Sequence, residues 1–130
     1  MLKVYVYVDG SDLEEVSSQL VDAFTNFLPT WGISSAAFVN DKFDRTADLR
    51  NGDMPDWNLG LSFEAERLPP TEFDQLISFL SRAAAETQRE FVIGGYGPGA
   101  QFAEDWEFIG THVESPELQF LRDLLVGTER

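Results

Sequence analysis

The sequence predicts a single α+β domain over residues 1–130, a two-layer sandwich in which a mainly antiparallel sheet of four to five strands carries two helices on one face. Three observations lead there. Residues 2–8 and 57–66 alternate apolar and polar side chains with period two, as half-buried strands do. Residues 12–28 and the stretch from Pro70 through Ala84 repeat apolar side chains at helical spacing. The two kinds of segment interleave along the chain as β-α-β-β-α-β, followed by a shorter strand and helix.

The first strand places Leu2, Val4, Val6 and Val8 on one face and Lys3, Tyr5 and Tyr7 on the other. Ser11-x-x-Glu14, overlapped by Asp12-x-x-Glu15, supplies the side-chain oxygens that a helix start needs. Leu13, Val16, Leu20, Phe24, Phe27 and Leu28 make that helix amphipathic, and Pro29 ends it. Ile33 to Val39 reads as a second strand, entering a polar turn at Asn40-Asp41 and then a long acidic loop through residue 56. In the third strand Trp57, Leu59, Leu61, Phe63 and Ala65 face the core.

Pro69-Pro70-Thr71 opens the second helix, whose stripe of Phe73, Leu76, Ile77, Leu80, Ala83 and Ala84 should cover the same sheet face as the first. Residues 90–96 form a fourth strand through Phe91, Val92 and Ile93, and Gly94, Gly95, Gly97, Pro98 and Gly99 then break it. A fifth strand is expected over Trp106 to Val113, and a last helix from Ser115-Pro116 to near Gly127. The simplest assembly is a ferredoxin-like sheet with a C-terminal strand and short helix that either extend its edge or cover one end.

Nine basic against twenty-three acidic side chains give a net charge of −14, spread along the whole chain. Such a field repels nucleic-acid phosphates and anionic lipid, so no nucleic acid and no membrane are expected as partners. It speeds encounter with a basic protein, or it only keeps the chain soluble. Cysteine is absent, which excludes a thiol nucleophile, a disulfide framework and thiolate metal sites, and fits a reducing cytoplasm. The N-terminal apolar alternation ends at Asp9 rather than at a small-residue cleavage site, so no secretory signal is expected, and no apolar run is long enough to span a bilayer.

No catalytic motif stands out. Val8-Asp9-Gly10-Ser11-Asp12 resembles the loop of haloacid-dehalogenase-like phosphatases, but the position where that family keeps its nucleophilic Asp holds Tyr7. Asp41, Asp44, Asp48, Asp53 and Asp56 lack the register of a calcium loop and are interrupted by Lys42, Arg45 and Arg50. Gly94-Gly95-Tyr96-Gly97-Pro98-Gly99 lacks the lysine and free amides of a phosphate cradle. His112 is the sole histidine, with no marked nucleophile beside it, and Glu104 with Glu107 is a carboxylate pair of a kind common among so many acids. No cofactor or metal is expected.

The strongest candidate is a recognition segment in which Tyr96, Phe102, Glu104, Asp105, Trp106, Glu107 and Phe108 mix aromatics with acids beside a glycine-rich turn. Aromatics anchor interfaces and carboxylates complement basic groups across them. An ordinary half-buried strand, with Trp106 and Phe108 on one face and Glu107 on the other, explains the same residues. Tyr5 and Tyr7 offer a second sticky face if no layer covers them.

In size, acidity and lack of cysteine or catalytic motif, the chain resembles the immunity proteins of bacterial polymorphic-toxin and contact-dependent systems. That resemblance implies a cytoplasmic inhibitor that blocks a cognate, basic toxin with carboxylates. The alternative is a ferredoxin-like module that binds a small ligand or self-associates through its open sheet face.

Overall fold

The computed structural model describes residues 2–9, 13–42, 57–96, 102–111 and 115–127. Its strands and α-helices run in the order β1 (Leu2–Val8), α1 (Ser17–Phe27), β2 (Ala37–Lys42), β3 (Trp57–Ala65), α2 (Pro70–Thr87), β4 (Phe91–Tyr96), β5 (Glu104–Ile109) and α3 (Ser115–Leu125). The five strands form one sheet in the order β2-β3-β1-β4-β5, every neighbouring pair antiparallel. The first four strands follow the ferredoxin-like crossover, and β5 extends the sheet beyond β4.

The alternation in β1 and β3 works as read. Val4 lies opposite Phe63 and Val6 opposite Leu61, all buried, while Tyr5 lies opposite Ser62 and Tyr7 opposite Gly60 on the other face. Against the apolar face pack Leu20 and Phe24 of α1 and Phe73, Leu76 and Leu80 of α2. Phe24 sits edge-on to both Phe79 and Phe91, at 5.2 and 5.9 Å between ring centres, which ties α1, α2 and β4 together.

Several boundaries differ from the expectation. The first helical stretch begins as a tight 3-10 turn, Leu13–Glu15, and becomes α-helical only at Ser17, because Val16 leaves the helical region at φ −122°, ψ 0°. The expected Ser11 and Asp12 caps lie outside the described residues. Pro29 falls within a second 3-10 turn, Leu28–Thr30, at a position where its missing amide goes unused.

The second strand starts at Ala37, not Ile33, and takes in Asn40-Asp41, expected as a turn. Ile33 to Ala36 instead makes a turn closed by the Ala36 amide on the Ile33 carbonyl at 3.1 Å. The Ser35 hydroxyl then donates to the Glu64 carbonyl at 2.6 Å and accepts from the Glu64 amide at 3.1 Å, standing in for the strand that ended there. Gly94 and Gly95 continue β4 instead of breaking it.

The fifth strand covers Glu104–Ile109, shifted toward the N-terminus. It stops at Ile109 because its partner in the ladder, Phe91, is the first residue of β4. α3 extends the helical layer: Leu121 and Leu125 are buried, the Leu68 amide donates to the Leu125 carbonyl at 2.7 Å, and Arg122 pairs with Asp74 at 2.9 Å while lying over the Phe73 ring.

Candidate functional site

All three helices lie on one face of the sheet, and among the described residues no helix or strand covers the other. The strand registers set what that face displays. One row across it reads Val39, Gly60, Tyr7, Val92 and Phe108; the next reads Ala37, Ser62, Tyr5, Gly94 and Asp105; a third holds Glu64, Lys3 and Tyr96. The face is therefore a tract of tyrosines and apolar residues with Asp41, Glu64 and Asp105 toward its borders.

Gly60 beside Tyr7 and Gly94 beside Tyr5 leave room for the two rings. Tyr5 and Tyr7, two apart on β1, stack at 5.0 Å between ring centres. The Tyr5 ring leans across Gly94, where a Cβ would fall 2.4 Å from its hydroxyl oxygen, and donates a hydrogen bond of 2.5 Å to Asp105 Oδ1. A phenol on β1 thus clips β5 from across β4.

Burial, followed by the Asp105 hydrogen bond and charge, pushes the Tyr5 hydroxyl well above its ordinary pKa of 10.0. Burial and then the Asp41 charge raise Tyr7 as well. In the unfolded chain these phenols lose their protons near pH 10, whereas the folded chain keeps them, so their contribution is complete below that pH and is lost as pH rises through the folded values. Urea midpoints measured at roughly pH 9 and pH 11 should fall across the interval, and less steeply in Tyr5→Phe than in the native chain. Equal slopes in the two proteins would contradict a protected Tyr5 hydroxyl.

The segment singled out in the sequence divides between the two faces. Tyr96, 41% exposed, and Asp105 stand on the open face, and Phe102, 79% exposed, leads into β5. Glu104 is exposed opposite Gly95, and Glu107 is half-buried opposite Ile93. A β-bulge at Ile93/Gly94 leaves Trp106 as the extra residue, and its ring packs against the helix-side core. Strict alternation would have kept Trp106 and Phe108 together; instead Phe108 lies opposite Val92 on the open face, 48% exposed.

Sequence reasoning noticed Tyr5 and Tyr7 but did not join them to Tyr96, Asp105 and Phe108, and it missed Val92, Glu64 and Asp41. The signal for the tyrosines was their place on the outward period of β1. Nothing local marks the others, because strand order brings them together.

A larger concavity lies elsewhere, a groove of about 770 Å³ between α1 and α2. Its floor is Phe27 stacked flat on Phe79 at 4.2 Å, so those ring faces are spent on each other. Its rim mixes Asp22, Glu86, Arg82 and side-chain amides with no convergent set of donors or acceptors. We take the sheet face as the better candidate on that ground.

Among the described residues no group of three or more His, Asp or Glu is placed to hold a metal, and no helix is long and apolar enough to cross a membrane. Of the acidic loop only Asp41 is described; Asp44, Asp48, Asp53, Asp56 and His112 lie outside the described residues, as do Gly97, Pro98 and Gly99. Comparison with protein-family models, with curated proteins and with solved structures finds no match.

Proposed function

We propose that this chain is a cytoplasmic protein-binding domain whose open sheet face holds a basic partner, in the manner of an immunity protein seated on a cognate toxin. The observation that carries the reading is the aromatic tract of Tyr5, Tyr7, Tyr96 and Phe108 on a face that no described helix or strand covers, bordered by Asp41, Glu64 and Asp105. Rigid aromatic rings supply interface energy at small entropic cost, and the border carboxylates select a partner of opposite charge. A net charge of −14 adds long-range attraction for such a partner.

The same face invites self-association, the alternative an exposed aromatic sheet favours. Charge opposes it. A second copy would bring its own Asp41, Glu64 and Asp105 against a like-charged border, and each copy carries a net charge of −14.

The test is affinity capture of the cognate partner at low and high salt, using the native chain, Phe108→Ala, Tyr96→Ala and, as a control on the helical layer, Gln75→Ala. Retention of one basic protein should weaken with salt and drop about tenfold or more in the two sheet-face variants, with melting temperatures little changed. Retention that survives both variants, or that is lost only in Gln75→Ala, would refute the assignment of the face.

A further inference from the structure

The open face contains a hollow of about 360 Å³ whose walls are Lys3, Tyr5, Ser35, Ser62, Glu64 and Tyr96. We propose that this hollow receives an arginine side chain of the basic partner, with Glu64 as its carboxylate and Lys3 as a placeholder that the arginine displaces. The proposal rests on the reading of the sheet face as the interface and names the group that the face selects.

Three features of the hollow lead to a guanidinium. Lys3 Nζ stands 3.8 Å from Glu64 Oε1, beyond hydrogen-bond length, with 69% and 51% of the two side chains exposed. Such a loose pair holds the carboxylate in place without saturating it, and little is lost when it opens. The main chain that carries Glu64 is fixed, because the Ser35 hydroxyl binds its backbone carbonyl and amide at 2.6 and 3.1 Å.

The second feature is the pair of tyrosines. Tyr96 lies opposite Lys3 in the ladder and Tyr5 follows two residues along β1, and both line the hollow together with Glu64. A guanidinium is flat, stacks on such rings, and binds a carboxylate through two parallel N–H donors; an ammonium does neither as well. The third is charge. Asp105, on the far side of Tyr5, adds negative potential while its Oδ1 is already engaged by the Tyr5 hydroxyl, leaving Glu64 as the carboxylate for the newcomer.

The experiment titrates the isotopically labelled intact chain, followed by amide chemical shifts, with a capped hexapeptide of alternating arginine and glycine and with its lysine counterpart at equal ionic strength. The arginine peptide should bind roughly five- to tenfold tighter and shift the amides of Lys3, Tyr5, Ser62, Glu64 and Tyr96. Glu64→Gln should weaken it about tenfold, whereas Lys3→Gln should strengthen it about threefold and Arg82→Gln, which removes the same charge from the helical layer, should change it less.

Equal affinity for the two peptides, with shifts scattered over both layers, would overturn the hollow and the sheet-face reading together. Arginine-selective binding that shifts Tyr7, Val92 and Phe108 and ignores Glu64→Gln would overturn the hollow alone and leave the sheet face as the interface.

Discussion

Replacing Phe24 with alanine is expected to lower the unfolding free energy by about 3–5 kcal/mol. The ring is wholly buried on α1 and meets Phe79 of α2 and Phe91 of β4 edge-on, at interplanar angles of 77° and 70°. Its removal takes contacts from three elements at once, and none of them can close the gap without moving a helix away from the sheet. For a chain of this size the loss corresponds to a fall in melting temperature of roughly 10–20 °C. Phe120, 47% exposed on α3, is the matched control, and its alanine variant should stay within about 1 kcal/mol of the native chain. A Phe24→Ala loss below about 1 kcal/mol would show that the ring is not packed as described.

Gly95→Ala is expected to be still more damaging for a substitution that adds a single methyl group. Gly95 has φ 156°, and a Cβ there would stand 2.0 Å from the Lys3 carbonyl oxygen and 3.0 Å from the Val4 Cα. The obstacle is the backbone of the central strand, which cannot turn aside as a side chain can without opening the β1–β4 ladder. We expect a loss of at least about 3 kcal/mol, read from urea unfolding, with a marked fall in the yield of folded protein. At Gly94 the added methyl would strike the Tyr5 ring and the Glu104 carbonyl. Gly94→Ala should therefore also release the hydrogen bond to Asp105. A Gly95→Ala variant as stable as the native chain would mean that β1 and β4 pair in a different register.

What the residues revealed in advance follows from where physics is local. The core faces of β1 and β3 were legible because burial on one side forces period two on Val4, Val6, Leu61 and Phe63. The helical stripes of Leu20, Phe24, Leu76 and Leu80 were legible for the matching reason. The start of β2 was not, because it depends on Ser35 reaching Glu64 across 29 positions of sequence. The extent of β4 to Tyr96 was legible, but the part Gly94 and Gly95 play inside it was not, since glycine breaks most strands and here accommodates a tyrosine ring and a neighbouring backbone. The candidate site was legible only in pieces: Tyr96 and Asp105 were singled out on one segment and Tyr5 on another, and the sheet order that places β1 beside β4 joins them.

The bulge in β5 makes two populations of side chain out of one short strand. Ile109 and Trp106 answer to the helix-side core, whereas Phe108 and Asp105 answer to whatever meets the open face. The extra residue works as a phase shifter between those two sets of demands. Because Trp106 is the skipped residue, Asp105 pairs with Gly94 and faces the open side, whereas unbroken alternation from Ile109 would have put it inward. One skipped residue thus lets a six-residue edge strand serve the core at one end and present a carboxylate to the open face at the other.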